Sequence, residues 1–226
     1  MSLNPRLGGP WAATFLLACI SAALSGCQAL GVAASAVPQS VKAAYPGLRG
    51  QRVAIMVWAD HAIITDNPTL QPDLAKALQS KLQEAADADI DEVRNIQFAR
   101  VDDILRFQED HPELQSESAR AIATRLPVPA TRLIYLEVAD LSLHPNETVD
   151  LSRGSATLNL TVVEIAGSNP KVAYEEQNVS VVYPPKSPPE GLPGLQDAQV
   201  YHHLIDALST ALATRFVTHE ADKEAQ

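Results

Sequence analysis

Residues 52–59 read RVAIMVWA, eight residues with one charge at the start and, in the seven that follow, five strongly apolar side chains and two alanines. Periodicity separates the two regular structures: a half-buried strand alternates apolar and polar side chains, and an amphipathic helix repeats every three or four residues. This stretch does neither. A short unbroken apolar run, rich in β-formers and bounded by turn residues, is the mark of a strand buried on both faces, which requires layers above and below it.

The layers are legible on either side. Residues 72–87, PDLAKALQSKLQEAAD, open with Pro72 and Asp73, both favoured in a first helical turn. Stepping 100° per residue places Leu74, Leu78, Leu82 and Ala85 on one face, with Lys76, Ser80, Gln83 and Asp87 opposite. Asn95–Val101 reads as a short strand, and Asp102–Glu109 and Ser116–Leu126 as two helices separated by His111-Pro112, the second capped by Ser116. The period then changes to two. Arg132–Leu143, Asp150–Ile165 and Lys171–Tyr183 are long strand candidates. The middle one alternates Ala156, Leu158, Leu160 and Val162 with Thr157, Asn159 and Thr161, and the turn GSNP joins it to the third. A last amphipathic helix runs over about 198–217, with Leu204, Ile205, Leu208 and Leu212 on one half of its wheel. The order β-α-β-α-α-β-β-β-α predicts an α/β (α+β) domain over 51–218: a single mixed sheet with helices packed against it. Residues 219–226 read as a charged C-terminal tail.

Ahead of the domain, residues 28–50 are rich in Ala, Ser, Gly and Pro and nearly uncharged, so residues 27–50 read as a flexible tether. The apolar run Trp11–Leu24 is 14 residues long, short of the roughly 20 that cross a bilayer as a helix. Arg6 precedes it and small residues close it, as in an export signal. The chain has two cysteines, Cys19 within the run and Cys27 at its end. A chain cut before Cys27 therefore has no disulfide to stabilise its fold, and thiol catalysis and cysteine metal sites are excluded from its domain.

Leu24-Ser25-Gly26-Cys27 resembles the bacterial lipobox, in which a peptidase cuts before a cysteine whose thiol carries diacylglycerol. That resemblance implies residues 1–26 as signal peptide, Cys27 as the lipidated N-terminus with two or three palmitate-type acyl chains, and stable anchoring. Gln28, where Asp would retain the protein at the inner membrane, implies the periplasmic face of the outer membrane, or the cell membrane in a single-membrane organism. The whole layout, from lipobox and tether through VAIMVW to the long hairpin closing GSNPKVAYEE, resembles a group of bacterial envelope lipoproteins. The group includes the curli-secretion and Pel exopolysaccharide lipoproteins and the activators of penicillin-binding proteins, related in fold to the N-terminal domain of the Tol translocation protein. It implies a binding or assembly factor of an envelope complex, as a homo-oligomer or with other proteins.

Removal of Arg6 leaves 16 basic against 27 acidic residues, a formal charge of about −11. Nucleic acid is a poor partner for such a surface, and anionic lipid repels it, which leaves membrane attachment to the anchor. Catalytic motifs such as G-x-S-x-G, H-E-x-x-H and the P-loop do not occur. His202, His203 and Asp206 could offer metal ligands, but adjacent helical residues diverge by about 100°, and a solvated polar face is the simpler reading. Asp102-Asp103 and Glu175-Glu176 are neighbours in sequence, a poor arrangement for a general acid and base. Residues 183–194, YPPKSPPEGLPG, contain Pro184, Pro185, Pro188 and Pro189 in a stiff segment that suits a partner-docking loop or, more simply, a rigid crossover. The expectation is a protein without catalytic residues, metal or cofactor. Its rivals are a hydrolase assembled from carboxylates with His61, His144 or His203, and a small-ligand carrier with a closed apolar pocket.

Overall fold

The structure is a computed structural model, and it describes residues 40–145, 151–167 and 169–220. Residues 42–219 form one compact unit. Of the terminal segments outside it only Ser40, Val41 and Glu220 are described. Cys27 and the lipobox residues Leu24, Ser25 and Gly26 lie outside the described residues, as does part of the GSNP turn.

The unit is built from strand β1 (Arg52–Ala59), helices α1 (His61–Asp66) and α2 (Leu70–Asp87), strand β2 (Gln97–Phe98), helices α3 (Val101–Asp110) and α4 (Ala119–Ala123), and strand β3 (Arg132–Ser142). These are followed by β4 (Leu151–Ser152), β5 (Gly154–Glu164), β6 (Lys171–Tyr183), β7 (Leu192–Pro193) and helix α5 (Asp197–Ala213). Five strands make one mixed sheet in the order β2-β1-β3-β5-β6. The pairs β2/β1 and β1/β3 are parallel, and β3/β5 and β5/β6 are antiparallel. This is the α+β arrangement that the pattern predicts.

As its unbroken apolar pattern requires, β1 is buried on both faces. Val53, Ile55, Val57 and Ala59 face the larger core, under α2 and α5, with Ile134, Leu136 and Val138 of β3 and Ala156, Leu158, Leu160 and Val162 of β5. Ala54, Met56 and Trp58 face a smaller core on the other side, with Leu133 and Tyr135 of β3, Ile104 and Phe107 of α3, and Ile122 of α4. On that side the smaller core reaches β5 at Val163, while Thr157 and Asn159 stay partly exposed, so β5 alternates between buried and partly exposed positions as far as Val162.

The paired part of β2 is only two residues long, which leaves the edge of β1 without a strand beyond Val53. Side-chain amides replace it: Gln71 from one layer and Gln108 from the other both donate to the Val57 carbonyl, at 2.7 and 2.9 Å. On the opposite edge, β6 is interrupted at Asn178, whose φ of +58° accompanies a register shift between Leu158 and Leu160. Its N–H is taken by the Asn159 Oδ1 atom at 3.1 Å. A bulge of this kind makes a 13-residue edge strand a poor template for pairing with another chain.

Several expectations need correction. The tether expected through residue 50 gives way earlier to packed chain. Tyr45 is buried and Leu48 fully so; the Tyr45 N–H donates to Arg215 O at 2.8 Å, and its hydroxyl donates to Glu164 and accepts from Arg132 at 3.0 and 2.8 Å. The predicted helix Ser116–Leu126 splits into a 3₁₀ turn, Pro112–Ser116, and the short α4. The cap is Ser118 rather than Ser116, its Oγ accepting from Ala121 N. Arg125 ties the two pieces together through Glu113 and Glu117 at 2.8 and 2.7 Å. The strand predicted over 150–165 breaks at Arg153 into β4, which pairs with β7, and β5. Gly154 opens β5 where α5 lies against the backbone: a Cβ there would stand 2.9 Å from Val200 Cγ1. The loop around Asn67-Pro68 begins with α1, a single short helix. The predicted tail begins as a two-residue strand, His219–Glu220.

Candidate functional site

Register aligns Trp58 of β1 with Glu137 of β3, and Glu137 with Asn159 of β5. The three side chains form a row across the sheet on its half-covered side. Tyr135 lies one step back on the same face of β3. Here the smaller apolar core ends and the water-facing half of the sheet begins. Asp60, just beyond the end of β1, and Gln115, from the 3₁₀ turn, complete a notch of about 190 Å³ lined by these six side chains together with Ala59 at the end of β1 and Val138 and Ala139 within β3.

Two of the lining residues are aromatic and almost fully buried. Trp58 is 7 % exposed and its Nε1–H is buried with no partner among the described residues. Tyr135 is 8 % exposed. Burial, reinforced by the Glu137 carboxylate, pushes the Tyr135 phenol up to about 12, so it remains a protonated donor at neutral pH. An unmet buried donor costs about 1–3 kcal/mol. The rim is acidic. Asp60 and Glu137 are exposed, and the lining contains no lysine or arginine. Neither carboxylate has a cationic partner among the described residues. Glu137 accepts only a long bond from Asn159 Nδ2, at 3.4 Å.

The residues singled out in the sequence lie elsewhere. Pro184, Pro185, Pro188 and Pro189 belong to the crossover from β6 to α5, in which the Tyr183–Pro184 peptide is cis. The crossover folds on itself through Ser187 N to Pro184 O and Gly191 N to Pro188 O, at 3.1 and 3.0 Å. Gly191, at φ +92°, allows the close approach to Pro145 and Leu151. His144 lies under this crossover, with Nδ1 3.1 Å from Leu151 O and Nε2 3.1 Å from the Asp197 carboxylate. The Leu151 carbonyl first, and Asp197 next, raise its pKa above the ordinary 6.5.

His203 stacks on Tyr183 at 4.8 Å and His202 meets Tyr201 edge-on, while Asp206 pairs with Lys81 at 2.8 Å, so the three disperse to separate partners. Among the described residues no group of three or more His, Cys, Asp or Glu could hold a metal ion. His61 sits exposed at the start of α1, on a different element from His144 and His203. Glu176 is held by Arg215 at 2.8 and 3.0 Å and accepts from the Tyr174 hydroxyl, whereas Glu175 is exposed and accepts from Gln177. The Arg215 guanidinium first keeps the Glu176 carboxyl below the usual range. Asp102 and Asp103 open α3, Asp102 lying 4.0 Å from both Lys76 and Arg100.

No family model and no curated protein matches the sequence. Among solved structures, the chain is similar to the PelC dodecamer from Paraburkholderia phytofirmans, with 8 % identity and a TM-score of 0.42, over 80 % of this chain and 97 % of that one. It is similar to the hypothetical protein CT253 from Chlamydia trachomatis, with 13 % identity and a TM-score of 0.40, over 74 % and 96 % of the two chains. Lipoprotein GNA1162 from Neisseria meningitidis is similar at 11 % identity and a TM-score of 0.37, over 72 % and 98 %. Values this low say nothing of what this chain binds.

Proposed function

We propose that the protein is a lipid-anchored, periplasm-facing binding or assembly component of a bacterial envelope complex, acting through its surface without chemistry of its own. The observation that carries this reading is the 14-residue apolar run ending in Leu24-Ser25-Gly26-Cys27, ahead of 199 residues without another cysteine. Two or more acyl chains hold a protein at a membrane, at about 0.8 kcal/mol per buried CH₂. Confinement then raises the effective concentration of a weak surface contact. Supporting it, the described histidines and acids that could serve a hydrolase are engaged separately: His144 with Asp197, His203 with Tyr183 and Glu176 with Arg215. The partner is a further copy of this chain or another envelope protein.

The test is crosslinking in intact membranes followed by purification of the full-length protein. A defined complex is expected from the natural chain. It should be lost in cells expressing Cys27→Ser and recovered when the purified components are mixed at micromolar concentration. Full function of the unanchored Cys27→Ser protein, or hydrolysis of an envelope glycan or peptide by the purified protein, would contradict the reading.

A further inference from the structure

We propose that the apolar groove between α4 and the end of β5 receives helix α1 of a second copy of this chain; the inference rests on the assembly reading above and names its partner and its contact. The groove has about 320 Å³ and lies at the end of the sheet where β1 and β3 start. Leu126, Val128, Ala130 and Ile165 line it, each packed on the smaller core yet only half-buried, and no charged side chain is among the lining residues. Two exposed arginines flank it. Arg52 donates to the carbonyl of Pro129 in the groove wall at 3.2 Å, and Arg120, one turn before the lining residues Ala123 and Thr124, donates to Asn169 Oδ1 at 2.8 Å. Both acceptors are neutral, so neither guanidinium is balanced by a carboxylate among the described residues. In a chain with a net charge of −10, such a place attracts acidic surface.

Helix α1 carries the complement. It follows β1 directly, none of its residues is buried, and the exposed Asp60 and Asp66 stand at its two ends with no cationic partner among the described residues. Between them Ala62 is exposed and Ile63 and Ile64 are half-buried. A partly apolar helix between two carboxylates thus matches an apolar groove between two guanidiniums. Arg52 and Asp60 mark opposite ends of β1, about 26 Å apart at roughly 3.3 Å per residue, so the two surfaces cannot meet within one copy. The contact is therefore heterologous and joins copies head to tail, in a ring or a filament. One short helix in one groove makes a small, weak interface, which confinement at a membrane strengthens.

Site-directed crosslinking in membranes that hold the full-length protein reads the contact. With Cys19 removed in the signal peptide and Cys27 lipidated, an introduced cysteine is the single free thiol. Two tagged copies are expressed together, one Ala62→Cys and the other Thr124→Cys, and treated with a short bismaleimide. The mixed pair should crosslink at least about tenfold above either variant alone, because a heterologous contact never brings the same position together from two copies. Arg52→Glu with Arg120→Glu in the Thr124→Cys copy should lower the yield at least about fivefold. Asp60→Lys with Asp66→Lys in the Ala62→Cys copy should then restore it, which also shows that both chains fold. No mixed product above the single-variant level, a yield unchanged by the arginine reversals, or a loss that the aspartate reversals fail to restore would each overturn the interface. If general crosslinking still finds a complex when this pair fails to link, the assembly reading stands with a different contact; absence of any complex removes both.

Discussion

Single residues set how the ends of the chain join the sheet. Leu48 is fully buried although it lies in a segment whose composition is that of a linker. Leu48→Ala should lower the stability of the domain by about 2–5 kcal/mol, the range for a core leucine, as read from the urea midpoint at unchanged slope. His144 gives a prediction with a sign. Its folded pKa is raised by the Leu151 carbonyl and Asp197, so the native state holds the proton more tightly than the unfolded chain. The stabilisation is fully present below the ordinary value of 6.5 and is lost as pH rises through the raised one. The stability difference between the natural chain and His144→Ala should therefore shrink between acid and alkaline solution. A difference that grows with pH would contradict the assignment.

At the scale of elements, the consequence is where the domain begins. A chain starting at residue 42 should unfold cooperatively with the natural melting temperature. One starting at 51 loses Tyr45 with its bonds to Arg215, Glu164 and Arg132, together with Leu48, and should melt several degrees lower or as a molten species, as circular dichroism would show. The elements with a long apolar period were readable: β1 from its unbroken run, α2 from Leu74, Leu78 and Leu82, and β5 from its alternation. In α5 the buried arc is wider than the wheel suggests, taking in Ser209 and Ala213, because the helix packs on both the sheet and α2. Short elements were the weak point. Ser116 and Ser118 stand two residues apart and both fit a cap, and a break at Arg153 leaves no local signal because it is made by pairing with β7, some 40 residues later in the chain. The notch was missed for the same reason. Glu137 is the one charge in the run LIYLEVA, a visible anomaly, but its alignment with Trp58 and Asn159 exists only in the register between strands.

For the whole molecule, a compact α+β domain carries an acidic surface, and in the proposed account its position at the membrane comes from Cys27 alone. Its acidity makes electrostatic adsorption on anionic lipid unfavourable, so removal of the lipid should release the protein entirely. The measurement that tests this most directly is mass spectrometry of the intact protein extracted from membranes of the cells that make it. The account predicts a chain starting at Cys27 with the added mass of two or three acyl chains. A chain that retains Met1, or one that starts beyond Cys27, would contradict it.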